Sequence, residues 1–116
     1  MHLRLPFVVV MLVLTALPAW AGELLMFRQP GCPWCAAWDR TIAPIYPKTD
    51  IGKKFTLRHV DLHGSRKDWP QLKVAVRFTP TFVLVEQGRE VGRIEGYAGE
   101  HFFWGQLERL IEGSAE

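Results

Sequence analysis

The chain has 116 residues, which is enough for one domain with a single hydrophobic core and too few for two ordinary domains. Its composition, 48% hydrophobic and 22% charged, is that of a globular protein and excludes a chain that is disordered throughout. The formal net charge is +2, with 14 basic and 12 acidic residues interspersed, so nucleic acid is not expected as a partner.

The first 21 residues differ in composition from the rest of the chain. Arg4 and the terminal amine supply positive charge, residues 5–17 form an apolar run, and Ala19-Trp20-Ala21 follows. These are the three parts of a secretory signal peptide, so we expect cleavage after Ala21 and a mature domain over residues 22–116. An uncleaved membrane anchor is the alternative, although the apolar run is short for a span of about 20 residues.

The first half of the mature chain has the pattern of a β-α-β unit. The continuous apolar run in residues 23–27 predicts a buried strand, and the turn Gln29-Pro30-Gly31 ends it. A helix is predicted over residues 33–43, because Pro33 suits a first helical turn and apolar residues recur at helical spacing. Residues 44–54 are expected to form the only long loop, and residues 55–62 a second strand.

The second half adds a helix, a hairpin and a closing helix. Apolar residues in 69–76 predict a short helical stretch, and residues 81–85 are the clearest strand of the chain. A turn at residues 87–89 joins that strand to another at residues 91–97. Apolar residues then recur on one face of a last helix, which Gly113 is placed to end: Phe103, Leu107, Leu110 and Ile111. The predicted order is β-α-β-α-β-β-α.

The two cysteines, Cys32 and Cys35, are the strongest functional signal. A bridge that closes so short a loop contributes little as a structural crosslink. A helix N-terminus stabilises a thiolate, so Cys32 is predicted to attack a disulfide and Cys35, one turn further on, to resolve the intermediate. Binding of Cu(I) by the two thiolates and an inert bridge are the alternatives, whereas zinc requires about four ligands and no second cluster is present.

Three segments resemble those of the thioredoxin superfamily, and the resemblance covers essentially the whole mature chain. They are Cys32-Pro33-Trp34-Cys35, Phe78-Thr79-Pro80-Thr81-Phe82 and Gly88-Arg89-Glu90-Val91-Gly92. The resemblance implies an α/β, thioredoxin-like fold with a central four-stranded mixed sheet flanked by helices. It also implies a cis Pro80, and a Thr79 that faces the cysteines and pairs with an extended substrate segment. Trp34, which lies between the cysteines, is expected to be exposed and to contact substrate.

A narrower resemblance is to periplasmic thioredoxin-like proteins of bacterial sulfur-oxidation (Sox) clusters, of the SoxS type. It rests on residues 29–38, 43–48, 60–63, 95–97 and 102–105. It implies a periplasmic thiol-disulfide oxidoreductase that keeps the thiosulfate-oxidising carrier protein reduced, with electrons supplied by a membrane donor of thiol-reductase type. We expect a monomer that uses no cofactor and no metal. A periplasmic disulfide oxidase is the alternative within the same enzyme class.

Some residues depart from the superfamily pattern. Met26 stands where many thioredoxins carry a buried aspartate, the usual proton acceptor for the second cysteine. Pro33-Trp34 between the cysteines is closer to the glutaredoxin pattern, but the Gly-Gly and aspartate that glutaredoxins carry later in the chain are absent. We interpret His59 and His63 as a strand residue and a turn residue rather than as ligands or bases. Arg28 and Arg77 flank the predicted active site in sequence; we interpret them as solvated charges, with attraction of anionic substrates as the alternative.

Overall fold

A computed structural model describes residues 2–14 and 22–114. Residues 2–14 have no regular secondary structure, and their large apolar side chains are exposed. The predicted cleavage site, Ala19-Trp20-Ala21, lies outside the described residues. Within the two described ranges, no helix has both the length and the hydropathy that crossing a bilayer requires.

The domain is built on a mixed four-stranded sheet, as the resemblance implied. The strands are β1 (Gly22–Arg28), β2 (Phe55–Asp61), β3 (Thr81–Glu86) and β4 (Arg89–Glu95). Their order in the sheet is β2-β1-β3-β4; β1 and β2 are parallel and the other two pairs are antiparallel. Strand β1 is therefore central, which explains why its apolar run is continuous: it is buried on both faces.

Helices cover one face of the sheet. They are α1 (Pro33–Thr41), α2 (Asp50–Lys54) and α3 (Glu100–Ser114), with a 3-10 turn at Tyr46–Lys48 between α1 and α2. Trp38 of α1 and Phe103 of α3 are almost fully buried and lie against each other edge to face. Burial of a side chain of this size contributes about 1.5–3 kcal/mol to stability, so these contacts hold both helices to the sheet.

The helices differ from the predictions in three places, the first being α1, which ends at Thr41 and not at residue 43. Residues 44–54, expected to be a long loop, contain the 3-10 turn and α2. The side chain of Thr49 caps α2 by accepting the N–H of Gly52 at 3.0 Å, and acidic Asp50 lies in the first turn, where the helix dipole favours it. Helix α3 continues past Gly113 to Ser114, a difference of the size at which helix ends are ordinarily uncertain.

The predicted helix over residues 69–76 is wrong, because this segment has no helix. Of its apolar residues, Trp69, Leu72 and Val76 pack on the second face of the sheet, whereas Val74 and Ala75 are exposed. Its backbone, however, bonds to the hairpin instead of to itself. The N–H of Gln71 donates to the carbonyl of Gly88, and Gln71 in turn accepts the N–H of Glu90, each at 2.9 Å. Tertiary hydrogen bonds to β4 have thus replaced helical ones.

Glu90 and Arg93 of β4 hold the rest of this segment. The Glu90 carboxylate is almost fully buried and accepts hydrogen bonds from Arg93 and from the backbone N–H of Lys73 at 3.0 Å. Arg93 also donates to the carbonyls of Val74 at 2.7 Å and Ala75 at 3.3 Å. Burial alone would raise the pKa of Glu90, but the hydrogen bonds from Arg93 and Lys73 outweigh it and hold the pKa below its usual value.

Replacing Glu90 with glutamine is expected to destabilise the domain by about 1.5–3 kcal/mol at neutral pH, the range for a hydrogen bond to a charged group. The folded-state pKa is depressed, so the contribution of the carboxylate is complete above its unfolded-state pKa and is lost as pH falls through the folded-state value. Denaturant unfolding at several pH values should therefore show the difference between the two proteins shrinking in acid.

Glu108→Gln provides the matched control, since Glu108 is exposed on α3. Its substitution should leave the free energy of unfolding nearly unchanged. A Glu90→Gln deficit that stayed constant down to strongly acidic pH would show that the charge of Glu90 is not what stabilises the segment.

Candidate active site

The two cysteines lie at the start of α1, after the turn that follows β1. They form a disulfide with a Cα–Cα separation of 5.2 Å. Cys32 is the N-cap residue of α1: its backbone is extended, and its Sγ accepts the N–H of Cys35 at 3.1 Å. Pro33 follows as the first helical residue. Cys32 is half-buried and Cys35 is 1% exposed, so the sulfur at the helix N-terminus is the more accessible of the two.

A cleft of about 800 Å³ opens beside the cysteines. It lies between the first turn of α1 and the carboxyl ends of β1 and β2. It is lined by ten residues: Arg28, Gln29, Pro30, Gly31, Cys32, Pro33, Cys35, Ala36, His59 and Asp61. Both cysteines therefore border the same open space, together with charged side chains from the two parallel strands.

An ion pair crosses this cleft. Arg28, the last residue of β1, donates to both carboxylate oxygens of Asp39 on α1, at 2.9 and 2.5 Å, and to Nδ1 of His59 at 3.1 Å. Because a guanidinium can only donate, His59 accepts through Nδ1 and is the neutral tautomer with hydrogen on Nε2. Arg28 is thus a paired residue of the cleft wall, and the interpretation of it as a solvated charge is wrong.

The pKa values of this group follow from its contacts. Hydrogen bonds from Arg28 lower the pKa of Asp39 below its usual value, against a smaller opposing effect of partial burial. For His59, partial burial and the positive charge of Arg28 both lower the pKa, and the negative charge of Asp39 offsets part of that effect. The lowered pKa favours the neutral imidazole of His59, and the guanidinium of Arg28 is matched by the carboxylate of Asp39.

The other predicted site residues surround this region. The Thr79-Pro80 peptide bond is cis, as the resemblance implied, and Pro80 is buried directly before β3. Thr79 is half-buried and is tied to the cleft through Gln29, whose side chain donates to the Thr79 hydroxyl at 3.0 Å. Trp34 is 63% exposed, which agrees with the expectation that it faces outward.

Sequence reasoning missed the Arg28–Asp39–His59 group, although part of the signal was present. Period-two alternation places His59 and Asp61 on one face of β2, and the parallel register sets Arg28 opposite Asp61. Asp39 follows Cys35 by four residues on α1 and so shares its side of the helix. The sequence did not indicate that α1 and the strands lie close enough for these three side chains to bond.

Within residues 2–14 and 22–114, no group of three or more histidine, cysteine or acidic side chains is arranged to hold a metal ion.

Comparison with known proteins gives one family and several related structures. A sequence profile described as thioredoxin-like domain matches residues 21–111. The crystal structure of the reduced periplasmic thioredoxin SoxS from Paracoccus pantotrophus is 47% identical in sequence, with a TM-score of 0.77; the match covers 80% of this chain and 98% of that one. A search of curated proteins gave no significant match.

More distant structures share the fold. Thioredoxin Deadhead from Drosophila melanogaster is 23% identical over 78% of this chain and 82% of its own, with a TM-score of 0.61. A thioredoxin from Thermus thermophilus is 19% identical over 78% of this chain and 73% of its own, with a TM-score of 0.54.

Replacing Arg28 with alanine is expected to raise the pKa of His59. The variant removes a nearby positive charge and opens the imidazole to water, while the Asp39 carboxylate that favours the imidazolium stays in place. An NMR titration of the imidazole would show a higher midpoint in Arg28→Ala than in the wild type. Arg109→Ala on the exposed side of α3 should leave that midpoint unchanged; a lower midpoint in Arg28→Ala would contradict the electrostatic account of the cleft.

Proposed function

The chain belongs to the thioredoxin-like family, and from that premise we propose that it is an exported reductase of disulfides or sulfur adducts on a sulfur-oxidation carrier protein. Thiol-disulfide oxidoreductase activity follows from the family and from the Cys32–Cys35 disulfide at a helix N-terminus. The single observation that carries the finer proposal is the 47% identity to a periplasmic SoxS thioredoxin over nearly all of that protein.

The roles of the two cysteines follow from their positions on α1. In the reduced protein, the helix N-terminus and its free N–H groups stabilise the thiolate of Cys32, the more accessible sulfur. This thiolate attacks one sulfur of a substrate disulfide, forms a mixed disulfide and displaces the first substrate thiolate. Cys35 then attacks the Cys32 sulfur and releases the second substrate thiolate. Two electrons pass to the substrate, and the pair ends as the Cys32–Cys35 disulfide.

The proton of Cys35 needs an acceptor in the second step. Met26 is buried where many thioredoxins have an aspartate, so that carboxylate is missing. Cys35 borders the open cleft, so we propose that its proton leaves on that side, to solvent. His59 and Asp39 are poorly suited to take it, because both are already bonded to Arg28.

The cellular setting proposed for this reaction is the periplasm. Residues 1–21 are proposed as a signal peptide cleaved after Ala21, which leaves the domain of residues 22–116 outside the cytoplasm. After each turnover the disulfide must receive two electrons, and a membrane donor of thiol-reductase type would supply them. Thr79 and Pro80 are proposed to line the substrate groove, and Trp34 to contact the substrate from the exposed side.

A Cys35→Ser variant, expressed with its own leader, is expected to accumulate a mixed disulfide with its partner in the periplasmic fraction, because the resolving thiol is gone. Cys32→Ser should trap nothing, and the double variant serves as the blank. Mass spectrometry of the trapped species would identify the partner and the first residue of the mature chain, expected to be Gly22. Faster iodoacetamide labelling of Cys35 than of Cys32 in the reduced protein would reverse the assigned roles.

The direction of electron flow gives a separate prediction. We expect a reduction potential nearer to that of thioredoxin, about −270 mV, than to that of a strong oxidase, about −120 mV. A strong oxidase needs an unusually stable thiolate, and neither neighbour supplies extra charge: Trp34 carries only an indole N–H, and Arg28 is paired with Asp39.

Equilibration of the cysteine pair with a thiol buffer, followed by alkylation, would measure this potential. Trp34→His should raise it by about 30 mV, a tenfold change in the equilibrium constant, because an imidazolium can stabilise the thiolate. Phe102→His on α3, another exposed aromatic position, should not. A wild-type potential above about −150 mV would favour the oxidase.

A further inference from the structure

We infer that Gln29 is a positioning residue for protein substrates: its side chain fixes Thr79, and with it the backbone before β3, relative to Cys32. The inference rests on the proposed function, since it concerns how a disulfide-bearing protein would be held. The supporting observation is that the Gln29 side chain forms hydrogen bonds that join three loops at one end of the sheet.

Both ends of the Gln29 amide are used in this bridge. Its Nε2 donates to the hydroxyl oxygen of Thr79 at 3.0 Å, and its Oε1 lies 2.7 Å from Nε2 of His63, which donates to it. His63 lies in the turn after β2, and its backbone N–H donates to the carboxylate of Asp61 at 2.9 Å. The loops that follow β1 and β2 and precede β3 are therefore linked through one amide group.

The bridge reaches the sulfur through a short covalent path. Only Pro30 and Gly31 separate Gln29 from Cys32. The ring of Pro30 restricts its backbone, and Gly31 has φ of +77°, a turn conformation that residues with a side chain rarely adopt. Gln29 also borders the cleft that both cysteines line. A bond from Gln29 to Thr79 therefore constrains the distance between Cys32 and the Thr79 backbone.

Thr79 has few other supports. No helix precedes it: the segment of residues 62–80 is irregular, and its hydrogen bonds to the hairpin lie at Gln71, Lys73, Val74 and Ala75. Beyond Ala75, the hydroxyl of Thr81 donates to the carbonyl of Phe78 and the N–H of Gly96 to the carbonyl of Pro80, each at 2.8 Å. These bonds hold the backbone on either side of Thr79 and leave the Thr79 side chain to Gln29. Loss of the Gln29 bond therefore loosens the backbone proposed to pair with a substrate, while the sulfur chemistry at α1 is untouched.

The test uses the full mature domain and compares two disulfide substrates, insulin and the small molecule hydroxyethyl disulfide. Gln29→Met keeps the length of the side chain and removes both hydrogen bonds. Its KM for insulin is expected to rise about two- to tenfold, the factor for one neutral hydrogen bond, with kcat unchanged. Turnover of the small disulfide and the reduction potential of Cys32–Cys35 should not change, because neither depends on the Thr79 backbone.

Two further variants separate positioning from a general loss of structure. Gln106→Met, a matched substitution on α3, should behave as wild type. Thr79→Val removes the same bond from the other side and should raise KM by itself; adding Gln29→Met to it should have no further effect, because the two side chains act through one bond. In a Thr79→Ser background, which keeps the hydroxyl, Gln29→Met should regain its effect.

The outcomes are distinguishable. An active wild type whose KM for insulin is unaffected by Gln29→Met overturns this inference and leaves the reductase proposal standing. If Gln29→Met loses activity equally on insulin and on hydroxyethyl disulfide, the effect lies at the sulfurs, and this inference is again overturned while the reductase proposal stands. A wild-type protein no more active on insulin than Cys32→Ser would overturn the proposed function itself, and this inference with it.

Discussion

The rest of the site depends on one constraint, the burial of strand β1 on both faces and between two other strands. Leu24 to Phe27 are completely buried, so the strand can neither shift nor twist without opening both cores. Its last residue and the turn after it then have fixed positions. Arg28, Gln29 and Cys32 all leave this one strand end. The ion pair, the bridge to Thr79 and the reactive sulfur are consequently placed by the same few residues.

The guanidinium of the cleft beside the sulfurs is neutralised by a carboxylate of its own. Arg28 could stabilise a thiolate strongly if it were free, but Asp39 holds it with two hydrogen bonds and His59 takes a third. What remains for Cys32 is the N-terminus of α1, a source of stabilisation that thioredoxin-like proteins share. A thiolate stabilised only in this way leaves its disulfide hard to reduce and its dithiol a good donor of electrons, which suits the reductase that we propose.

The parts of the molecule that could be predicted are those whose structure is determined by neighbouring residues in the sequence. The apolar runs of β1 and β3 and the Cys-Pro-Trp-Cys motif at the start of an amphipathic helix all lie within windows of about ten residues. Residues 69–76 misled because an apolar pattern says which side chains are buried, not where the backbone finds its hydrogen bonds. That was decided by Glu90 and Arg93, more than a dozen residues away. Gln29 and Thr79 are separated by 50 positions, and nothing in either neighbourhood indicates the contact.

The segment between β2 and β3 is anchored by side chains and a single bridge where a helix was expected, and this bears on how such proteins diverge. A helix has to keep its length and its apolar spacing, so few changes within it are neutral. An irregular segment held at Gln71, Val74 and Ala75 can change in sequence between those anchors while the sheet keeps its register. Its exposed Val74, Arg77 and Phe78 lie just before the cis peptide bond of Thr79-Pro80. Substitutions in the segment between β2 and β3 can therefore change which partner is bound while the sheet and the cysteine pair stay the same.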